Sequence, residues 1–170
     1  MSVTLQDLLL FLAKNNKSEN IKYIFFNRLE LELDNVIIKE CSKGLGVFAN
    51  RNILKNELIT LYPVDTYEDD TIKSSHFKQH MYRISNSIII SGDNSKYSPS
   101  YCGHICNDGA MPKDSQESID LYEKISILKT NANIIILNES VIAVIATKDI
   151  NINNEVLLNY GISRWKMIQS

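Results

Sequence analysis

Cys102, His104 and Cys106 alternate within Tyr101-Cys102-Gly103-His104-Ile105-Cys106-Asn107-Asp108-Gly109-Ala110. In extended backbone, that alternation sets three donor side chains on one face. Two chemistries use such a set: a zinc centre, or a thiol activated by an imidazole. Structural zinc takes four ligands, and the remaining cysteine, Cys41, lies far back in the chain. A nucleophilic thiol is accompanied by an elbow or oxyanion motif, and none surrounds Cys106. No metal site is expected. Asn107-Asp108-Gly109 is a turn sequence, so the simplest reading of the stretch is a loop between two strands.

Two other stretches carry comparable signals. Lys43-Gly44-Leu45-Gly46-Val47-Phe48-Ala49 places a Gly-x-Gly directly before an apolar run. Glycine there tolerates positive φ and lets a ligand approach the backbone closely. It is not a dinucleotide fingerprint, because no third glycine and no helical pattern follow. Taken alone, such a Gly-x-Gly is more often just a tight turn. Residues 146–161 then read as a strand, a polar turn and an apolar segment ending in Tyr160-Gly161. A tyrosine in that place is ordinarily half-buried packing.

The elements that must position these residues are mostly short strands. Thr4-Leu5-Gln6-Asp7 has the pattern that satisfies the free N–H groups of a helix start, and Leu5, Leu8, Leu9 and Leu12 follow at helical spacing, which predicts a helix over 4–15. Val36–Ile38, Val47–Ala49, Leu58–Tyr62 and Ile88–Ile90 read as strands. So do Ile134–Leu137 and Val141–Ile145, joined as a hairpin through Asn138-Glu139-Ser140. Residues 64–82 and 108–130 read as polar connections, the first with a short helix over Ser74–Met81. Neither repeat, low-complexity tail nor linker divides the 170 residues, which fit one domain.

Composition narrows the function classes. The chain is 44% apolar and 22% charged, with a formal net charge of −2, unlike a domain built to hold a phosphate backbone. Direct nucleic-acid binding is therefore not expected. Three cysteines without a secretory leader point to a reducing compartment. No stretch approaches the roughly 18–20 apolar residues of a membrane span. The expectation is an intracellular soluble protein with no membrane partner.

Order and spacing add what the single stretches lack. Lys43–Ala49, then Asn52–Tyr62 with its Asn-Ile-x-x-x-Glu-Leu-Ile-x-x-Tyr, then Tyr101–Ala110, then Ala146–Gly161 ending in Tyr-Gly together resemble the SET-domain protein lysine methyltransferases. The resemblance covers about residues 35–165. It implies a mainly β fold of several short sheets with a knot-like C-terminal segment, plus the N-terminal helix. It divides the chain into residues 1–34 as helix and extension, 35–165 as the SET-like catalytic domain, and 166–170 as a tail. It implies transfer of a methyl group from S-adenosylmethionine to a lysine side chain.

By the same resemblance, Gly44, Leu45 and Gly46 offer backbone to the methionine part of the donor. Gly103 and His104 hold its amino group and adenine. Tyr160 is the catalytic hydroxyl and also touches the donor, and Tyr62 and Tyr82 line the lysine channel. Core packing is the competing role for Tyr82. Trp165 supplies an aromatic lid where related enzymes carry a zinc-binding cysteine tail, or else simply packs. The partner implied is a protein with a target lysine, a histone tail being the first candidate and the nucleus then the compartment; a homodimer is compatible.

The sequence departs from the family motif at Gly103, which replaces asparagine, and at Asp108-Gly109, which replaces Pro-Asn. A second register, with Asn107 on the family's asparagine, retains one motif residue where the first retains His104 and Cys106. In the preferred register Asn107 is a variable position and its loss is expected to matter little. The connection over 111–130 is also longer than the resemblance leads one to expect. The alternative function is a SET-like binding or scaffold protein without activity, motivated by Gly103.

Overall fold

Thr4 and Asp7 cap the first helix reciprocally: Asp7 N donates to Thr4 Oγ1 at 3.2 Å and Thr4 N donates to Asp7 Oδ2 at 2.9 Å. Helix α1 (Leu5–Asn15) follows and sinks Leu8 into the core. The protein is seen here as a computed structural model that describes residues 3–15, 32–63, 66–69, 81–83, 88–92, 97–111, 116–138, 141–163 and 165.

Strands β1 (Val36–Cys41) and β2 (Gly44–Ala49) form an antiparallel hairpin, with Cys41 opposite Gly44 at its tight end. Closing so short a turn takes a left-handed residue, and Gly44 supplies it at φ 94°. The Gly-x-Gly thus lies inside the strand rather than ahead of it. A three-stranded sheet of β3 (Leu58–Tyr62), β9 (Val141–Ala146) and β8 (Ala132–Asn138) runs in the order β3-β9-β8. Every residue of β9 is buried, as befits a central strand covered on both faces. A second three-stranded sheet holds β4 (Thr66–Asp69), β6 (Ile88–Ser91) and β5 (Met81–Arg83) in the order β4-β6-β5.

β7 (Asn107–Asp108) and β10 (Leu157–Leu158) form a parallel pair only two residues long. β10 is flanked on its other side by Asn131, whose N donates to Leu157 O at 3.1 Å while its Oδ1 accepts from Leu157 N at 2.8 Å. The C-terminal segment is therefore clasped between two earlier parts of the chain, the knot-like arrangement expected. The core under it is aliphatic: Val36, Val47, Ile53, Ile59, Val144, Ile150 and Val156 bury completely or nearly so. Each such side chain contributes roughly 1.5–3 kcal/mol of burial.

One buried polar cluster sets the entry to β3. Arg51 Nη1 donates to Glu57 Oε2 at 2.9 Å, and its Nη2 donates to Asn35 Oδ1 at 2.7 Å. Asn35 Nδ2 in turn donates to Leu58 O at 2.8 Å. A buried carboxylate is tolerable only when paired in this way.

The predicted strands form and β8 pairs antiparallel with β9, the predicted turn residues Glu139 and Ser140 lying outside the described residues, and the two connections need correction. Residues 66–69 pair as β4, and the short helix over 74–81 falls largely outside the described residues, Met81 itself opening β5. The stretch 108–130 contains helix α2 (Gln116–Lys129). Its inward side chains are Tyr122 and Ser126, one turn apart, whereas Leu121, Ile127 and Leu128 face outward. A helix docked by hydroxyl groups has no apolar period, which is why pattern reading misses it. No described helix is long and apolar enough to cross a membrane.

Candidate functional site

The motif stretch folds as a single 3-10 turn, Gly103–Ile105, followed by β7. Gly103 occupies a tight niche: a Cβ there would stand 2.9 Å from Val144 Cγ2, 3.1 Å from Leu61 O and 3.1 Å from Tyr62 Cα. An asparagine side chain has no room in this packing. His104 is buried at 4% exposure, its ring edge-on to Tyr62 at a centroid distance of 6.1 Å. Tyr62 closes β3 and is itself buried. The structure thus brings together two residues that sequence reasoning assigned to different ligands.

Two residues further on, Cys106 O accepts a hydrogen bond from the Tyr160 hydroxyl at 2.7 Å. With its hydrogen so committed, the phenol oxygen is held as an acceptor. Tyr160 also packs at a tilt on Trp165, ring centroids 5.8 Å apart. Tyr160 and Trp165 therefore meet at the foot of the motif turn. Burial pushes the Cys106 thiol well above its usual range, with Cys102 and Glu155 adding to the effect. Burial likewise pushes Cys102 up to about 12, partly opposed by its hydrogen bond to Thr60. Neither thiol is a nucleophile at neutral pH.

Asp108, which motif reasoning treated only as a departure, is a buried hub. Its Oδ2 accepts from Tyr122 Oη at 2.6 Å, Trp165 Nε1 at 2.9 Å and Tyr160 N at 2.9 Å. Its Oδ1 accepts from Ser126 Oγ at 2.6 Å and Ala110 N at 3.1 Å. Burial, and then the hydrogen bond to this carboxylate, raise the Tyr122 phenol above its ordinary pKa.

Asn107 is not a passive position. Its Nδ2 donates to Leu45 O at 3.0 Å and to Glu155 Oε1 at 2.9 Å, and lies 3.6 Å from Cys41 Sγ. It ties β7 to the Gly-x-Gly strand and to the segment before β10, contacts to which motif reading gives no part. Gly46 lies directly beneath, where a Cβ would meet Glu155 Oε1 at 2.9 Å and Asn107 Nδ2 at 3.2 Å. Lys43 completes the group, with Nζ donating to Asp108 O at 2.6 Å and lying 3.9 Å from Glu155 Oε2.

Other predicted residues divide by accessibility. Gly44 has open space where its Cβ would be, and Leu45 is exposed. Backbone at these two positions can be approached by a ligand. Tyr82 lies on β5, opposite Ile90, in the sheet that does not include β3; its side chain is outside the described residues. The residues that sequence reasoning missed are polar partners: Asp108, Tyr122 and Ser126 are buried under the aromatic pair, and Glu155 is half-buried beside Gly46. An aspartate in the family's proline position was the available signal.

Comparison with known proteins agrees with this geometry. The family model described as the SET domain matches residues 44–161, well over half of the chain. No curated protein matches. Among solved structures, a crystal structure from Plasmodium falciparum described as a "putative histone methyltransferase" is similar, with 22% identity and a TM-score of 0.52 over 79% of this chain and 99% of that one. At that identity the likeness speaks for the fold. With the motif turn, the clasped C-terminal strand and the matched residues in agreement, the chain belongs to the SET-domain family.

Proposed function

We propose that this protein is an S-adenosylmethionine-dependent protein lysine N-methyltransferase. The observation that carries the proposal is the Tyr160 hydroxyl, held by Cys106 O at 2.7 Å so that its oxygen accepts, at the foot of the motif turn. The residues present fit the methyl donor where contact is through backbone: Gly44 and Leu45 are open, and Trp165 presents a half-buried ring. They do not reproduce a side-chain contact from residue 103. When bound, the donor supplies an electrophilic methyl group on a sulfonium.

Gly44, Leu45 and Gly46 would hold the methionine part, and Gly103, His104 and Trp165 the remainder. Tyr62 would line the lysine channel, where its buried ring disfavours the ammonium form and leaves the amine neutral. The Tyr160 oxygen would orient that amine for in-line attack, so that acceleration comes from alignment and a preorganised environment. The structural relative's description makes a histone tail the first substrate to try, and with it the nucleus as the compartment. A second reading, a SET-like binding protein without turnover, is favoured by the niche at Gly103, which excludes the family's asparagine.

Calorimetric titration with S-adenosylmethionine, followed by labelled methyl transfer to histones and to whole-cell lysate, separates the two. Tyr160→Phe is expected to lower turnover at least 10-fold with donor affinity kept within a few fold, as for an interaction made mainly in the transition state. Wild-type turnover in this variant, or no donor binding by the native protein, refutes the assignment.

A further inference from the structure

The methyl transfer proposed above gives Asp108 no part, yet its carboxylate is buried at 3% exposure with five donors around it. Its oxygens divide the labour. Oδ1 faces Ser126 and Ala110, which are packing partners on α2 and the motif loop. Oδ2 faces Tyr122 of α2 together with Tyr160 N and Trp165 Nε1. Trp165 is held on three sides: by that Nε1 bond, by Tyr122 edge-on at 6.5 Å, and by Tyr160 tilted at 5.8 Å.

We propose that Asp108 is a positioning residue, through which α2 sets the orientation of the Tyr160–Trp165 pair and so the affinity of the methyl-donor site. The inference rests on the methyltransferase reading only for its last clause. Three donors share one oxygen, so removing one lets the other two reorient; a single-donor contact would not transmit anything. α2 lies in the connection that is longer than the family resemblance leads one to expect, and it gains a place in the site through the aspartate that replaces the motif's proline.

Trp165 is the single tryptophan of the chain, so its fluorescence reads the pair directly. Tyr122→Phe and Ser126→Ala each remove one hydroxyl from the same carboxylate and are expected to lower the melting temperature by similar amounts. They differ in which oxygen they relieve. Tyr122→Phe is expected to shift Trp165 emission and weaken S-adenosylmethionine binding roughly 5- to 10-fold, less than the full worth of one charge-assisted hydrogen bond because the loss reaches the site only through Trp165 and Tyr160. Ser126→Ala is expected to keep the native emission, with a loss of affinity several times smaller. Asp108→Asn, which retains one carbonyl oxygen for the aromatic trio, is expected to fall between the native protein and Asp108→Ala. Equal losses of affinity in the two hydroxyl variants, or native Trp165 emission in folded Tyr122→Phe, would overturn the proposal. If Asp108→Ala does not fold, the hydroxyl pair still decides. Should the native protein bind no donor, the methyltransferase reading fails, while the emission spectra still test the coupling of α2 to Trp165.

Discussion

Asn107→Ala tests a position that motif reading leaves without a role and to which the structure gives two hydrogen-bond partners. The side chain gives one hydrogen bond to a backbone carbonyl, Leu45 O, and one to a carboxylate, Glu155 Oε1. Neutral bonds contribute about 1 kcal/mol net and charge-assisted ones about 1.5–3. The Glu155 side chain keeps 20% exposure, so water can replace part of what is lost. The expected cost is about 1.5–3 kcal/mol, which for a domain of this size lowers the melting temperature by about 3–10 °C. Because the same amide fixes the carbonyl of Leu45, donor affinity should fall several-fold as well. Asn107→Asp is the sharper arm. It sets a second carboxylate 2.9 Å from Glu155 Oε1, with Lys43 at 3.9 Å as partial compensation. It should melt below Asn107→Ala at pH 7 and recover as the pH falls towards 4, where carboxylates protonate. Thermal melts across pH, with calorimetry on the folded variants, supply the measurement. If both variants melt within about 1 °C of the native protein, the described hydrogen bonds carry no stability and the argument is wrong.

Gly46→Ala should destabilise by about 1–3 kcal/mol through crowding of Glu155 and Asn107. The same change made in an Asn107→Ala background should cost measurably less, a coupling visible in a double-mutant cycle of denaturant midpoints. With a thiol reagent at pH 8, native protein should modify at half-buried Cys41, whereas Cys102 and Cys106 react only after unfolding. Fast reaction of all three would refute their burial. The two raised thiols bind protons in the folded state that the unfolded chain has already released, so stability should decline as pH rises from the ordinary thiol value near 8.5 towards about 12. Arg51→Met should cost about 2–4 kcal/mol in chemical denaturation, because Glu57 keeps a 7% exposed carboxylate without its cation.

Strands with a period of their own were legible in the residues. Leu58–Tyr62, apolar but for Thr60, and the continuous apolar run Val141–Ala146 became the paired, buried strands β3 and β9. The capping pattern at Thr4 and Asp7 likewise gave α1 its start. What the chain hides is polar and non-local. Tyr122 and Ser126 read as residues of a soluble connection because nothing near them in sequence announces a buried carboxylate to receive them. The catalytic candidate Tyr160 and the aromatic Trp165 were found through the family motif, not through any property of their own neighbourhoods. Asn107 was undervalued for a related reason: its partners at Leu45 and Glu155 lie far to either side of it in the chain.

The clasp around β10 has a kinetic consequence. Tyr160 and the Asp108 carboxylate that receives its amide are 52 positions apart, and α2, β8 and β9 lie between β7 and β10 in the chain. Loops of that length close late and slow the folding reaction. Amide hydrogens at Tyr160 and Leu157 should therefore exchange with the slowest class in the protein, at the free energy of global unfolding. The exposed backbone at Gly44 and Leu45, at the tight end of the β1–β2 hairpin, should exchange well ahead of that class.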